Sequence, residues 1–210
     1  MLNFLITVHP KFLLVALQKR NLSLLIFELP KSFSNLSLLG EFDAHALEIS
    51  GKIPDDFEKL SLEILKLGHN HFCKLPSSLR GLSILKQLIL PDCKELKSLA
   101  PLPSSLVEVN VANCIALESV SDLSNLESLR DLNLTNCEKV VDIPGLENLK
   151  SLKRLYMSNC SACSSSVKRR LSKVLSLSLS LSLSLSILYS TFKKLKRKRF
   201  ELLIPFGRFL

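Results

Sequence analysis

Cys93, Cys114, Cys137 and Cys160 stand 21, 23 and 23 residues apart, and one more step of 23 back from Cys93 reaches Asn70. The residues ahead of each position repeat as well. Leu65, Leu67 and Asn70 are followed by Leu88, Leu90, Cys93, then Val109, Val111, Cys114, then Leu132, Leu134, Cys137, and finally Leu155, Met157, Cys160. Further aliphatics fall three apart on either side, as in Leu79, Leu82, Leu85 and again Leu96, Leu99. A unit this short cannot bury its own leucines, so each copy must cover the next, and five consecutive copies exceed the roughly three that such a stack needs.

Within each copy the apolar residues alternate before the Asn or Cys, which puts them on one side of a short strand and the intervening residues on the other. This is the leucine-rich repeat pattern. The expected fold is α/β: a leucine-rich repeat solenoid with a curved parallel sheet on its concave face, short irregular or helical convex segments, and unstructured termini. The chain has no Trp and only 6% aromatic residues, so the core is aliphatic.

The recurring Asn-or-Cys position lies where the chain turns inward after the strand and backbone groups lack ladder partners. Asn can satisfy them, and Cys fills the same space as a small hydrophobe with a weak S–H donor. A sharper reading takes Cys160-Ser-Ala-Cys163 as a redox or metal pair. It has little support, because there is no second CxxC and none of the histidines, at 9, 45, 69 and 71, is near in sequence. His69 and His71 read as surface residues of the turn.

Outside the regular copies the frame weakens. Residues 36–59 form one degenerate repeat, in which Leu36, Leu39, Phe42 and Ala44 fit a strand and Gly51, Ile53 and Pro54 follow. Leu60-Ser61-Leu62 has a two-residue spacing where the frame wants three, which predicts strain or a shift entering the Asn70 copy. Residues 1–35 show apolar runs without a frame and remain unassigned; no basic stretch precedes the first of these runs, which argues against a cleaved signal peptide. The repeats therefore occupy 36–163, about five of them regular from residue 60.

Val167, Leu171 and Val174 recur at helical spacing, so residues 164–174 predict a capping helix over the last repeat. Six Leu-Ser pairs then run from Leu175 to Ser186, and KKLKRKR occupies 193–199. Residues 175–210 are assigned as a low-complexity tract and basic tail. Alternating Leu and Ser is what a CT dinucleotide repeat encodes when translated, and its period of two favours an extended strand. Residues 174–192 carry no charge, but 8 of the 19 are Ser or Thr, too polar for a comfortable membrane span. The basic run is a solvated segment, a nuclear-import signal or a contact for anionic lipid.

The formal charge of +9 follows the same boundary. Residues 1–150 carry 15 Lys and Arg against 18 Asp and Glu, whereas 151–210 carry 13 against one. Nucleic acid is therefore not indicated as a partner of the repeats, which also lack interleaved aromatic and basic residues.

The segments GKIPDDFEKL, KLPSSLRGLSILKQLILPDCKELKSL, the second LPSSL, and ALESVSDLSNLESLRDLNLTNCEKVVDIPGLENLKSLKRLYMSNC together resemble the leucine-rich repeat region of plant disease resistance proteins of the TIR, nucleotide-binding, leucine-rich repeat class, over roughly residues 32–174. The resemblance implies the sensing or regulatory module of an intracellular immune receptor in plant defense and signal transduction. The implied location is cytoplasmic, with the nucleus as an alternative. Implied partners are proteins: a pathogen effector, a guarded host protein, or receptor domains in trans. Two departures limit it, since no GxxxxGK[ST] occurs and no room is left upstream for a TIR domain. A truncated, non-signalling gene product and a substrate adaptor of a ubiquitin ligase are the alternatives.

No catalytic constellation is legible: there is no GxSxG, and the histidines are scattered. The expectation is a binding module with no enzyme activity, no cofactor and no metal. Its candidate protein-binding residues are those beside and between the strand leucines: Ile64, Lys66, Gln87, Ile89, Glu108, Asn110, Asp131, Asn133, Arg154 and Tyr156. Arg154 and Tyr156 lead, being residue types that often anchor interfaces, and the mixed signs point to a protein partner.

Overall fold

The computed structural model describes residues 4–7, 39–50, 53, 59–179 and 201–203. Leu36, Gly51, Pro54 and the basic run at 193–199 lie outside them. Six strands carry the repeats: β2 (Leu39–Asp43), β3 (Ile64–Lys66), β4 (Gln87–Ile89), β5 (Glu108–Asn110), β6 (Asp131–Asn133) and β7 (Arg154–Tyr156). Each pairs in parallel with the next in chain order, giving a leucine-rich repeat solenoid of about five turns. Two short segments complete the sheet. Phe4–Thr7 (β1) pairs in parallel with β2, and Glu201–Leu203 (β8) pairs antiparallel with β7. The unassigned N-terminal segment thus supplies an edge strand that its sequence frame did not reveal.

The register follows the repeat. Phe42, Leu65, Leu88, Val109, Leu132 and Leu155 align across β2–β7, and all are buried. The ladder continues two residues on, where the N–H groups of Leu67, Leu90, Val111 and Leu134 donate to the carbonyls of Ile89, Asn110, Asn133 and Tyr156. Behind the sheet, the leucines spaced by three fill one continuous core: Leu79, Leu82, Leu85, then Leu123, Leu126, Leu129, then Leu146, Leu149, Leu152.

The convex side absorbs irregularities that would disrupt the sheet. The turn between Cys93 and Cys114 is two residues shorter than its neighbours and has one leucine fewer between Leu102 and Leu106. Ser105 enters that space, its hydroxyl donating to Leu85 O at 2.8 Å. The strain expected at Leu60-Ser61-Leu62 does not reach the sheet: both leucines are buried, and β3 stays in register with β2 and β4. Among the described residues this side also includes the 3-10 turns Ser77–Gly81 and Leu146–Asn148. Gly145 precedes the second with φ of 78°, and a Cβ there would meet Ser124 N at 2.3 Å, so only glycine fits.

Helix α1 (Ser165–Leu179) follows the last turn. Val167 is buried and Leu171 is half-buried against the core, so the helix covers leucines that no further repeat would cover. It runs five residues beyond the predicted 174, through Leu175–Leu179, correcting the extended conformation expected for the start of the Leu-Ser tract. Adding residues to an existing helix is far easier than nucleating a strand, and Leu is a good helix former. The remainder of the tract lies outside the described residues.

A charged clasp fastens α1. The Arg170 guanidinium binds Glu147 Oε1 at 2.5 Å and Asp142 Oδ2 at 3.4 Å, and Ser166 Oγ donates to Asp142 Oδ1 at 2.9 Å. The Arg170 hydrogen bond holds the Glu147 carboxyl below its ordinary 4.5. At Asp142 burial pushes upward, but hydrogen bonds from Ser166, the Ile143 N–H and Arg170 prevail and hold it below 3.8. Both carboxyls are depressed in the fold, so their contribution is present above the unfolded values and is lost as pH falls through the folded ones. Hydrogen-exchange protection of α1 is therefore expected to drop below about pH 4 while the amides of β4–β6 stay protected. Arg170→Gln should produce the same selective loss at neutral pH.

Candidate functional site

The turn after each strand is built on the recurring polar position. Asn70 is completely buried: its Oδ1 accepts from Ile49 N at 2.9 Å, and its Nδ2 donates to Ala44 O at 2.9 Å and Leu67 O at 2.8 Å. The cysteines repeat the cross-turn bond with sulfur. Cys93, Cys114 and Cys137 Sγ donate to Leu67, Leu90 and Val111 O, each at 3.2 Å, and Cys160 Sγ donates to Leu134 O at 3.0 Å. Burial pushes the Cys137 thiol up to about 12, so it is neutral and unreactive at ordinary pH.

A second ladder runs beside this one, and sequence reasoning had missed it. His69, Asp92, Asn113, Asn136 and Asn159, each just before the recurring Asn-or-Cys position, have φ between 55° and 63°. Asn and Asp tolerate this left-handed conformation better than other non-glycine residues. Their side chains join successive turns: Asn159 Nδ2 donates to Asn136 Oδ1 at 2.7 Å, Asn136 Nδ2 to Asn113 Oδ1 at 2.6 Å, and Asn113 Nδ2 to Asp92 Oδ2 at 3.3 Å. His69 Nε2 ends the row 3.3 Å from Asp92 Oδ2. The signal was legible as the pairs Asn113-Cys114, Asn136-Cys137 and Asn159-Cys160.

The ten sequence-predicted residues all come together on the opposite, concave face of the sheet. Ile64, Gln87, Glu108, Asp131 and Arg154 form one row across β3–β7, and Lys66, Ile89, Asn110, Asn133 and Tyr156 form the other. Arg154 is exposed and the other nine are half-buried. The rows continue onto β2 as Glu41 and Asp43, which sequence reasoning left out although they flank Phe42.

These residues differ in how free they are. Lys66 Nζ lies 2.6 Å from Glu41 Oε1 and 3.8 Å from Asp43 Oδ2, and the Glu41 hydrogen bond, against some burial, holds the ammonium above its ordinary value. Arg154 grips Asp131 through Nε to Oδ1 and through a second bond to Oδ2 at 2.6 Å, which raises the guanidinium above its ordinary value. Asn110 and Asn133 turn inward on their own chain: their Oδ1 atoms accept from Ala112 N and Thr135 N at 3.0 Å. Asp43 does the same for His45 N at 3.1 Å. The carbonyl ends of Asn110 and Asn133 therefore set the backbone turn, which leaves their amide groups for contact.

His69 and His71 each face one carboxylate of the next turn, Asp92 at 3.3 Å and Glu95 at 3.4 Å. Among the described residues no group of three or more His, Cys, Asp or Glu is placed to hold a metal ion. Nor, among them, is any helix long and apolar enough to cross a membrane.

No protein-family model matches the chain. Over 73 residues, 34% of its length, it is 40% identical to TMV resistance protein N of Nicotiana glutinosa, and the match spans 6% of that protein. Among solved structures, the leucine-rich repeat domain of the type III effector XopL is similar with a TM-score of 0.39 at 22% identity, covering 65% of this chain and 66% of that one. The plant peptide hormone receptor RGFR1 in complex with RGF2 is similar with a TM-score of 0.33 at 19% identity, covering 62% of this chain and 34% of the receptor chain.

Proposed function

We propose that this solenoid is a protein-recognition or regulatory module of a plant intracellular immune receptor, acting by protein contact on the concave face. The observation that carries the reading is the state of that face at its C-terminal end. Arg154 and Tyr156 stand side by side on β7, one exposed and one half-buried, on a rigid strand whose backbone is hydrogen-bonded on both sides. An aromatic ring beside a guanidinium on a fixed strand is the kind of anchor that dominates interfaces. The mixed signs of Lys66, Glu108, Asp131 and Arg154 on this face suit a partner of mixed charge and disfavour a polyanion. The likeness to the tobacco resistance protein supports the immune setting, and the receptor's activity as a whole would lie in regions this match does not reach.

The experiment measures binding of the full chain to a TIR–nucleotide-binding fragment of a plant resistance receptor and to a set of purified pathogen effectors. Saturable binding to at least one is expected, and it should be abolished in the variant Arg154→Ala, Tyr156→Ala. The Arg154–Asp131 pair is solvent-exposed on its arginine side and contributes little to stability, so circular dichroism should not change. Binding that is equal in both proteins would remove this face from consideration, and no binding across the set would remove the immune-receptor reading.

A further inference from the structure

Cys160 differs from the other slot cysteines in what stands three residues after it. In the earlier turns the carbonyls of Cys93, Cys114 and Cys137 accept from the N–H of Leu96, Leu117 and Val140, and those aliphatic side chains are buried. At the last turn the same backbone bond runs from Cys163 N to Cys160 O at 3.3 Å, so a thiol occupies the aliphatic position. A hydrogen-bonded four-residue turn brings its end Cα atoms within about 7 Å, close to the window a disulfide spans. The two thiols are near neighbours, and both are half-buried, whereas Cys93, Cys114 and Cys137 are buried.

We propose that Cys160 and Cys163 form a reversible dithiol–disulfide site that reacts with low-molecular-weight disulfides of the glutathione type. Cys163 is the attacking group. Its thiol is free of the bond that ties the Cys160 proton to Leu134 O, and the neighbouring Cys160 and Lys168 favour its thiolate against burial and the Asp142 charge. Cys160 is held the other way: its S–H is donated to Leu134 O, and the neighbouring Cys163 and burial favour the protonated form. The Cys163 thiolate attacks one sulfur of the external disulfide, forming a mixed disulfide and expelling one thiolate. Cys160 then gives up its proton and attacks the Cys163 sulfur, closing the internal bond and releasing the second external thiol. Two protein thiols are oxidised, one disulfide is reduced to two thiols, and no other reactant is consumed. Closure removes the S–H that Leu134 O accepts, at the point where the chain enters α1.

Cys73 supplies an internal reference, being an exposed cysteine with no second thiol three residues away. The full chain is equilibrated with reduced and oxidised glutathione in varied ratio, quenched, alkylated, digested with trypsin and analysed by mass spectrometry. Residues 155–168 carry both Cys160 and Cys163 on one fragment. The expected result is loss of both alkylatable thiols from that fragment, with its mass lowered by two hydrogens, at ratios where most Cys73 is still free thiol. Cys163→Val, which restores the residue type of Val140, should fold and show no internal bond. A wild-type fragment that keeps both thiols, or that carries only glutathione adducts at ratios modifying Cys73, would overturn the proposal.

Discussion

Replacing Leu134 by alanine is expected to lower the unfolding free energy by about 2–5 kcal/mol, because it opens a cavity in the shared wall between two turns. Leu134 is completely buried, and its backbone is tied to the next turn twice: its N–H donates to Tyr156 O at 2.7 Å, and its carbonyl accepts from Cys160 Sγ. Neighbouring turns are fixed by these bonds and cannot collapse into the space. Met157 occupies the same place one turn later but is only half-buried, so Met157→Ala should lose clearly less. Urea unfolding of the two variants measures the difference. A Leu134→Ala loss below about 1 kcal/mol would mean the position is not an interior wall.

Asn70→Ala is expected to destabilise by a similar amount, about 2–5 kcal/mol, for a different reason. The substitution strands Ile49 N–H and Ala44 O away from water, while Leu67 O keeps Cys93 Sγ as a donor. Asn70→Cys installs what the other turns use. A thiol there can donate to Ala44 O as Cys93 does to Leu67 O, so only the Ile49 N–H loses its partner, and the loss should fall to about 1–3 kcal/mol. The ordering of Ala below Cys in stability, read from the same urea experiments, is the outcome that distinguishes a hydrogen-bonding slot from a merely filled one.

The strands, their order and the residues that share the concave face were legible because a parallel ladder with one strand per copy makes period and register the same quantity. Once Leu65, Leu88, Val109, Leu132 and Leu155 are aligned in sequence, they are aligned in space, and the residues between them share a face. What the period could not show is how side chains divide their bonds between the protein and solvent. Arg154 and Asp131, or Lys66 and Glu41, are 23 and 25 residues apart, and nothing local marks them as pairs. Glu41 and Asp43 escaped because their copy carries Phe42 and Ala44 where later copies carry leucine, valine or methionine, which blurred the frame around them. The spacing at Leu60-Ser61-Leu62 misled in the opposite sense: convex segments are irregular and take up a missing residue without moving the sheet. The Leu-Ser tract reads as period two, yet its first residues follow an established helix and continue it to Leu179.

The most direct test of the stacked-turn architecture is detection by NMR of scalar couplings across the inter-turn hydrogen bonds. Couplings are expected from the amide nitrogens of Leu67, Leu90, Val111 and Leu134 to the carbonyl carbons of Ile89, Asn110, Asn133 and Tyr156. Couplings from these amides to carbonyls four residues earlier, as in a helix, or to partners shifted by one residue along the neighbouring turn, would contradict it.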